Sequence, residues 1–125
     1  MITAIHTLIY SEDPQATRAF FRDVLQWPHV EDQGSEPGWL IFKTGPSELG
    51  VHPTMPGTPH ARDIHHEVSI MCDDLESTMA ELSSRGATFS GEVSDEGFGL
   101  VAMLQLPGAG EILLYEPRHE TAFNV

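Results

Sequence analysis

Residues 65–86, HHEVSIMCDDLESTMAELSSRG, hold one strand followed by one capped helix, and they restart a pattern already present at the front of the chain. Residues 65–72 read as a strand in which Val68, Ile70 and Cys72 alternate with other residues. Asp73-Asp74 supplies a helix cap, and Leu75, Met79 and Leu82 form an apolar stripe at helical spacing. Arg85-Gly86 closes the helix with a cation and a glycine. At the front, residues 2–10 alternate and are rich in Ile, Thr and Leu, which predicts a strand. Asp13 is an N-cap and Pro14 suits the first helical position. Ala16, Ala19, Phe20, Val24 and Leu25 then carry a helix to about Leu25, where Trp27-Pro28 ends it. Laying residues 6–25 on residues 67–86 matches Ile9 with Ile70, Asp13 with Asp74, Thr17 with Thr78 and Ala19 with Ala80.

Each strand–helix pair is followed by three short strand patterns. After the first they fall at residues 30–33, 39–43 and 49–52, separated by glycine- and proline-bearing turns. After the second they fall at residues 89–93, 100–106 and 111–115, with Gly97, Gly99 and Pro107-Gly108-Ala109-Gly110 between them. The reading is an α+β fold of eight strands and two main helices, arranged as two β-α-β-β-β modules in one domain. Module 1 spans residues 1–53, a proline-rich connector residues 54–63, module 2 residues 64–118, and a tail residues 119–125. Two such modules can bury or shape their open sheet faces against each other.

Composition narrows the function classes. The 125 residues, 40% hydrophobic and 20% charged, suit one globular domain. Six Lys+Arg stand against 19 Asp+Glu, a formal net charge of −13. That balance lacks the basic footprint nucleic acid requires, and an anionic membrane surface would repel it. The cations Arg18, Arg22, Lys43, Arg62, Arg85 and Arg118 are scattered, which argues against a highly anionic substrate. A single cysteine, Cys72, excludes an internal disulfide and a thiolate metal cluster, and its apolar neighbours make it a small buried hydrophobe. The front of the chain shows no signal-peptide pattern, and no apolar run approaches about 18 residues, so the expected compartment is the cytoplasm.

Four pieces of sequence resemble one family. They are His6-Thr7-Leu8-Ile9-Tyr10 with Asp13 and residues 19–25 (AFFRDVL), Glu48-Leu49-Gly50-Val51-His52, the strand–helix pair around Asp73-Asp74-Leu75, and Leu113-Leu114-Tyr115-Glu116-Pro117. In this order they resemble the vicinal-oxygen-chelate superfamily of glyoxalases, bleomycin-resistance proteins and extradiol dioxygenases. The resemblance implies a cup lined by sheet, helices on the outer face, and a homodimer. Where the family uses a metal, one residue from each of four strands holds it. Those positions fall here on His6, Glu48, Glu67 and Leu113. The first three would offer one nitrogen and two carboxylates to Mn²⁺, Fe²⁺, Zn²⁺ or Ni²⁺, with Glu48 or Glu67 as the proton-moving group if the protein is an enzyme. Leu113 cannot coordinate and stands where metal-dependent relatives carry a glutamate, so the implied metal set is incomplete.

Strand parity, taken from that alignment, puts His6, Leu8, Tyr10, Glu48, Gly50, His52, His65, Glu67, Ser69, Met71, Glu111, Leu113 and Tyr115 on one face. The other face carries Ile5, Ile9, Leu49, Val51, Val68, Ile70, Cys72, Ile112 and Leu114, fit to lie under helices. A face rich in His, Glu and Tyr must be wet, paired or occupied by a ligand. Tyr10, Trp39, Met71, Phe98, Leu113 and Tyr115, with His52 and His65, are the candidate ligand-binding residues. Their flat and apolar groups, beside Glu48 and Glu67, suit a planar or cationic small molecule. The leading expectation is ligand sequestration of the antibiotic-resistance kind. The alternative is a divalent-metal-dependent lyase, isomerase or dioxygenase acting on vicinal oxygens.

Overall fold

The Asp13 carboxylate accepts the Ala16 N–H at 3.1 Å and Pro14 fills the first helical position, so α1 (Pro14–Ala19) begins at the expected cap. The computed structural model describes residues 6–32, 34, 36–51 and 66–124. In it α1 runs on as a π-helical turn (Phe20–Val24). Phe21 from this turn stacks on Trp27 at a centroid distance of 5.1 Å and meets Phe42 edge-on at 5.4 Å. Phe42 belongs to β2 (Leu40–Phe42), which pairs antiparallel with β1 (His29–Glu31).

The larger sheet contains β3 (Ser69–Met71), β4 (Phe89–Asp95), β5 (Gly99–Gln105) and β6 (Glu111–Pro117) in the order β3-β6-β5-β4. β3 and β6 run parallel, and the other pairs are antiparallel. Between β3 and β4 lies α2 (Leu75–Ser84), capped by Asp74, whose carboxylate accepts the Ser77 N–H at 2.8 Å. Gly86 follows it at φ +96°, a left-handed position that favours glycine. The fold is thus α+β, with two sheets that are mainly antiparallel.

One face of the larger sheet makes the core. Ala102 and Leu104 of β5 and Ile112 and Leu114 of β6 pack with Leu75 and Leu82 of α2 and with Phe20 and Phe21. Leu104 and Leu114 are fully enclosed. The β5–β6 turn is tied to the first helix: the Thr17 hydroxyl donates to the Pro107 carbonyl at 2.5 Å and the Ser11 hydroxyl to the Gly108 carbonyl at 2.8 Å. A side chain at Gly108 (φ +79°) would meet the Asp13 carbonyl and Ser11 Oγ at 2.7 Å, so only glycine lets these segments approach.

Six strands form among the described residues, where the sequence predicts eight. Residues 6–10 and 49–51 carry no strand, and Leu8, Tyr10, Leu49 and Val51 are exposed. The strand expected over residues 65–72 is confined to Ser69–Met71, because β6 pairs only Leu113, Leu114 and Tyr115 with it. Alternation reports a residue set that suits a pleated surface, but a strand exists only where a partner edge supplies its hydrogen bonds. Leu49 and Val51 therefore do not join the aliphatic layer that parity assigned them. Residues 52–65, with the expected connector, lie outside the described residues.

Candidate functional site

The face of the larger sheet opposite the core is set by β5 and β6. Strand alternation and register put Val101 and Met103 on the face of Leu113 and Tyr115, while Ala102, Leu104, Ile112 and Leu114 point into the core; Val101 is itself buried. Register aligns them in two rows. Ser69, Leu113, Met103 and Ser90 form one, and Met71, Tyr115, Val101 and Ser94 the other. Met71, Met103, Leu113 and Tyr115 are half-buried. The result is an apolar floor with serines at both margins. At one end the Glu111 carboxylate accepts from Gln105 Nε2 at 3.1 Å and from the Ser90 hydroxyl.

At the other end of the floor stands Tyr115. Phe98, on the β4–β5 hairpin, meets its ring edge-on, with centroids 5.5 Å apart and planes at 83°. Such a pair contributes roughly 0.5–1.5 kcal/mol beyond its buried area. The Tyr115 hydroxyl donates to Glu48 Oε1 at 3.4 Å, and His119 Nε2 lies 3.5 Å from that hydroxyl and 3.6 Å from the same carboxylate oxygen. The Ala122 N–H donates to Glu48 Oε2 at 2.9 Å. Burial pushes the Tyr115 phenol up from its ordinary value, and the adjacent Glu48 charge, together with their hydrogen bond, pushes it further, so the group donates and does not ionise near neutrality. Asp95 and Arg118 hold Phe98 in place. Arg118 Nη1 lies 2.6 Å from both Asp95 carboxylate oxygens, and the Arg118 N–H donates to the Phe98 carbonyl at 2.8 Å.

The structure brings together Glu48, Met71, Phe98, Leu113 and Tyr115 of the residues expected from sequence. Tyr10 and Trp39 go elsewhere. Tyr10 is almost fully exposed and lines a separate open concavity of about 870 Å³ between the start of α1 and the β5–β6 turn. Trp39 lies under the Arg18 guanidinium, 4.8 Å from it, next to the Arg18–Glu36 ion pair. That contact uses one ring face in holding the β1–β2 hairpin to α1. His52 and His65 lie outside the described residues. Val101, Met103 and His119 are among the residues of this face that escaped the sequence reading. Val101 and Met103 were legible in principle from the parity of a strand paired with β6. His119 lies in a tail with no pattern, and nothing in the sequence brings it to Glu48. Cys72 is half-buried, and burial pushes its thiol up from the ordinary value, which disfavours the reactive thiolate.

The donor set for a metal does not assemble among the described residues. No group of three or more His, Cys, Asp or Glu side chains there is arranged to hold an ion. His6 and Glu67 are exposed, and Glu48 faces the tail and Tyr115. Leu113 has Met103 and Ser69 as its cross-strand neighbours. Its setting is the apolar floor, where the sequence reading gave it two carboxylates and an imidazole.

Known proteins resemble the chain in fold and in sequence pattern. Crystal structures with similar folds include an antibiotic-binding protein, TnmS3, from Streptomyces sp. CB03234, with a TM-score of 0.60, 22% identity, and cover of 93% of this chain and 99% of that one. A lactoylglutathione lyase from Agrobacterium tumefaciens also gives 0.60, at 18% identity over 91% and 93% of the two chains. A glyoxalase/bleomycin resistance protein/dioxygenase superfamily member from Sphaerobacter thermophilus gives 0.57, at 19% identity over 91% and 97%. No curated protein matches the chain in sequence. The sequence pattern of the glyoxalase-like domain matches residues 6–111, most of the chain, and the chain therefore belongs to the glyoxalase-like family of the vicinal-oxygen-chelate superfamily.

Proposed function

We propose that the protein binds a flat, cationic small molecule and sequesters it without turning it over. The observation that carries this reading is the Glu48 carboxylate beside the Tyr115–Phe98 pair at the edge of an apolar floor. A planar ligand gains from edge and face contacts with two rings, and a positive charge on it gains from Glu48 and from the −13 net charge of the chain. Met71 and Met103 add polarizable, adaptable side chains that accept ligands of varied outline. One neighbour is an antibiotic-binding protein and another a lyase at the same structural similarity, so the choice rests on the site itself. Two copies are proposed to associate through exposed apolar residues such as Leu8, Leu49 and Val51, which light scattering would read as a dimer mass.

Ethidium, a flat aromatic cation, is a suitable probe. Fluorescence titration should show saturable binding that weakens at least about tenfold in Glu48→Gln, or roughly 1.4 kcal/mol. Tyr115→Ala should weaken it further, and Tyr115→Phe should retain most of it. Elemental analysis of protein purified without chelator tests the rival reading. A stoichiometric divalent metal that disappears in Glu48→Gln, with no binding of the organic cation, would replace sequestration by metal-dependent chemistry on vicinal oxygens.

A further inference from the structure

The Glu48 carboxylate is already engaged by the chain's own C-terminal segment. After β6 ends at Pro117, Arg118 is clamped to the β4–β5 hairpin by Asp95. The chain then crosses Tyr115: the His119 ring lies tilted against the tyrosine ring, with centroids 6.2 Å apart. It reaches Glu48 at the start of a short 3₁₀ turn (Ala122–Asn124), whose first N–H is bonded to Glu48 Oε2. The segment thus has a firm attachment at Arg118 and a second attachment on Glu48. With it in place the Glu48 side chain is only 16% exposed, although its own stretch of backbone is neither helix nor strand.

We infer that residues 118–124 are a strap, latched on Glu48, that controls access to this carboxylate. The Glu48 end is the releasable one. It depends on the Ala122 N–H and on long contacts from His119 and Tyr115, and the intervening residues 118–121 form neither helix nor strand, so local opening there breaks no regular ladder. A cation that takes up Glu48 competes with the Ala122 N–H and the His119 ring, because these groups cover a carboxylate whose side chain is largely shielded from solvent. The strap therefore competes with ligand, and the apparent affinity is the intrinsic one reduced by the fraction of molecules with the strap released. The ligand half of this inference rests on the proposed function; the latch does not.

Two full-length variants test it. Ala122→Pro removes the donated N–H without shortening the chain, and proline is tolerated at the first position of a helical turn. His119→Ala removes the ring that touches both Tyr115 and Glu48. The first readout needs no ligand: coupling of glycinamide to Glu48 by a water-soluble carbodiimide, quantified by peptide mass spectrometry. Coupling should be at least about threefold faster in either variant than in the wild-type protein, with folding checked by circular dichroism. The second readout is ethidium titration, which should tighten by a similar factor. Unchanged or slower coupling in a folded variant overturns the strap. Faster coupling with no ethidium binding in any protein keeps the strap and rejects the ligand reading. Faster coupling with weaker ethidium binding shows that the segment is a wall of the site, and the competing strap is wrong.

Discussion

Asp95 carries the position of Phe98, and its own titration reports whether that arrangement holds. The hydrogen bond from Arg118, then the one from the Gly97 N–H, keep the Asp95 carboxyl below its ordinary value of 3.8. A carboxyl lowered in the folded state contributes stability that is fully present above the unfolded value and is lost as pH falls through the folded one. The Asp95–Arg118 clamp should therefore be intact at neutral pH and release only in acid, below pH 3.8. In a carbon-detected NMR titration the Asp95 midpoint should lie below the ordinary value. Arg118→Ala should move it upward and should weaken the chemical-shift signature of the Phe98–Tyr115 ring contact. A midpoint unmoved by the substitution would mean that the loop holds Asp95 without Arg118. Leu113 teaches a second lesson at this scale. The family resemblance implies a lost metal ligand there, yet with Met103 on one side and Ser69 on the other Leu113 extends a floor that a glutamate would interrupt.

At the scale of elements, the two helix starts are alike in design and differ in outcome. Each has an aspartate whose carboxylate accepts the N–H three residues on, Asp13 to Ala16 and Asp74 to Ser77. α2 then continues as a regular ten-residue helix, whereas α1 gives way after six residues to a π-helical turn that carries Phe20 and Phe21 into the core. The Asp74 carboxyl is held below its ordinary value, first by the Ser77 backbone bond and then by the Ser77 side chain. Removing this cap should cost about 1 kcal/mol. Urea denaturation of Asp74→Ala should show that loss at an unchanged slope, with Asp74→Asn close to wild type. A loss below about 0.3 kcal/mol would mean that packing of Leu75 and Leu82 sets the helix start without the cap.

The larger sheet has one enclosed face and one half-buried face, and stability should divide the same way. Leu104 is fully enclosed among the first helix, α2 and β6. Leu113 is half-buried on the opposite face. Leu104→Ala should cost about 2–5 kcal/mol, as for other enclosed leucines. Leu113→Ala should cost clearly less and should weaken ethidium binding, which Leu104→Ala spares in protein that is still folded. Equal destabilisation by both would show that the second face is also core. Charge follows a similar division: Arg18, Arg22, Arg85 and Arg118 each pair with a neighbouring carboxylate, which leaves the acidic excess to shape the field around the site.

Read by itself, the sequence determined the local features: both capped helices, the β4–β5–β6 meander, and the alternation that separates Ile112 and Leu114 from Leu113 and Tyr115. These depend on neighbours close along the chain and on the fixed periods of helix and strand. It also contained the wording that marks the family, and it named Glu48, Phe98 and Tyr115, which the structure places in contact. Only the tertiary structure decided which strands find an edge, why residues 6–10 and 49–51 form none, and where Tyr10 and Trp39 go. It alone decided that His119 and Ala122 reach Glu48, a contact between groups more than 70 positions apart in the chain. Pairing edges and long-range contacts depend on which surfaces meet in space, and the periodicity of a segment carries no record of its partner.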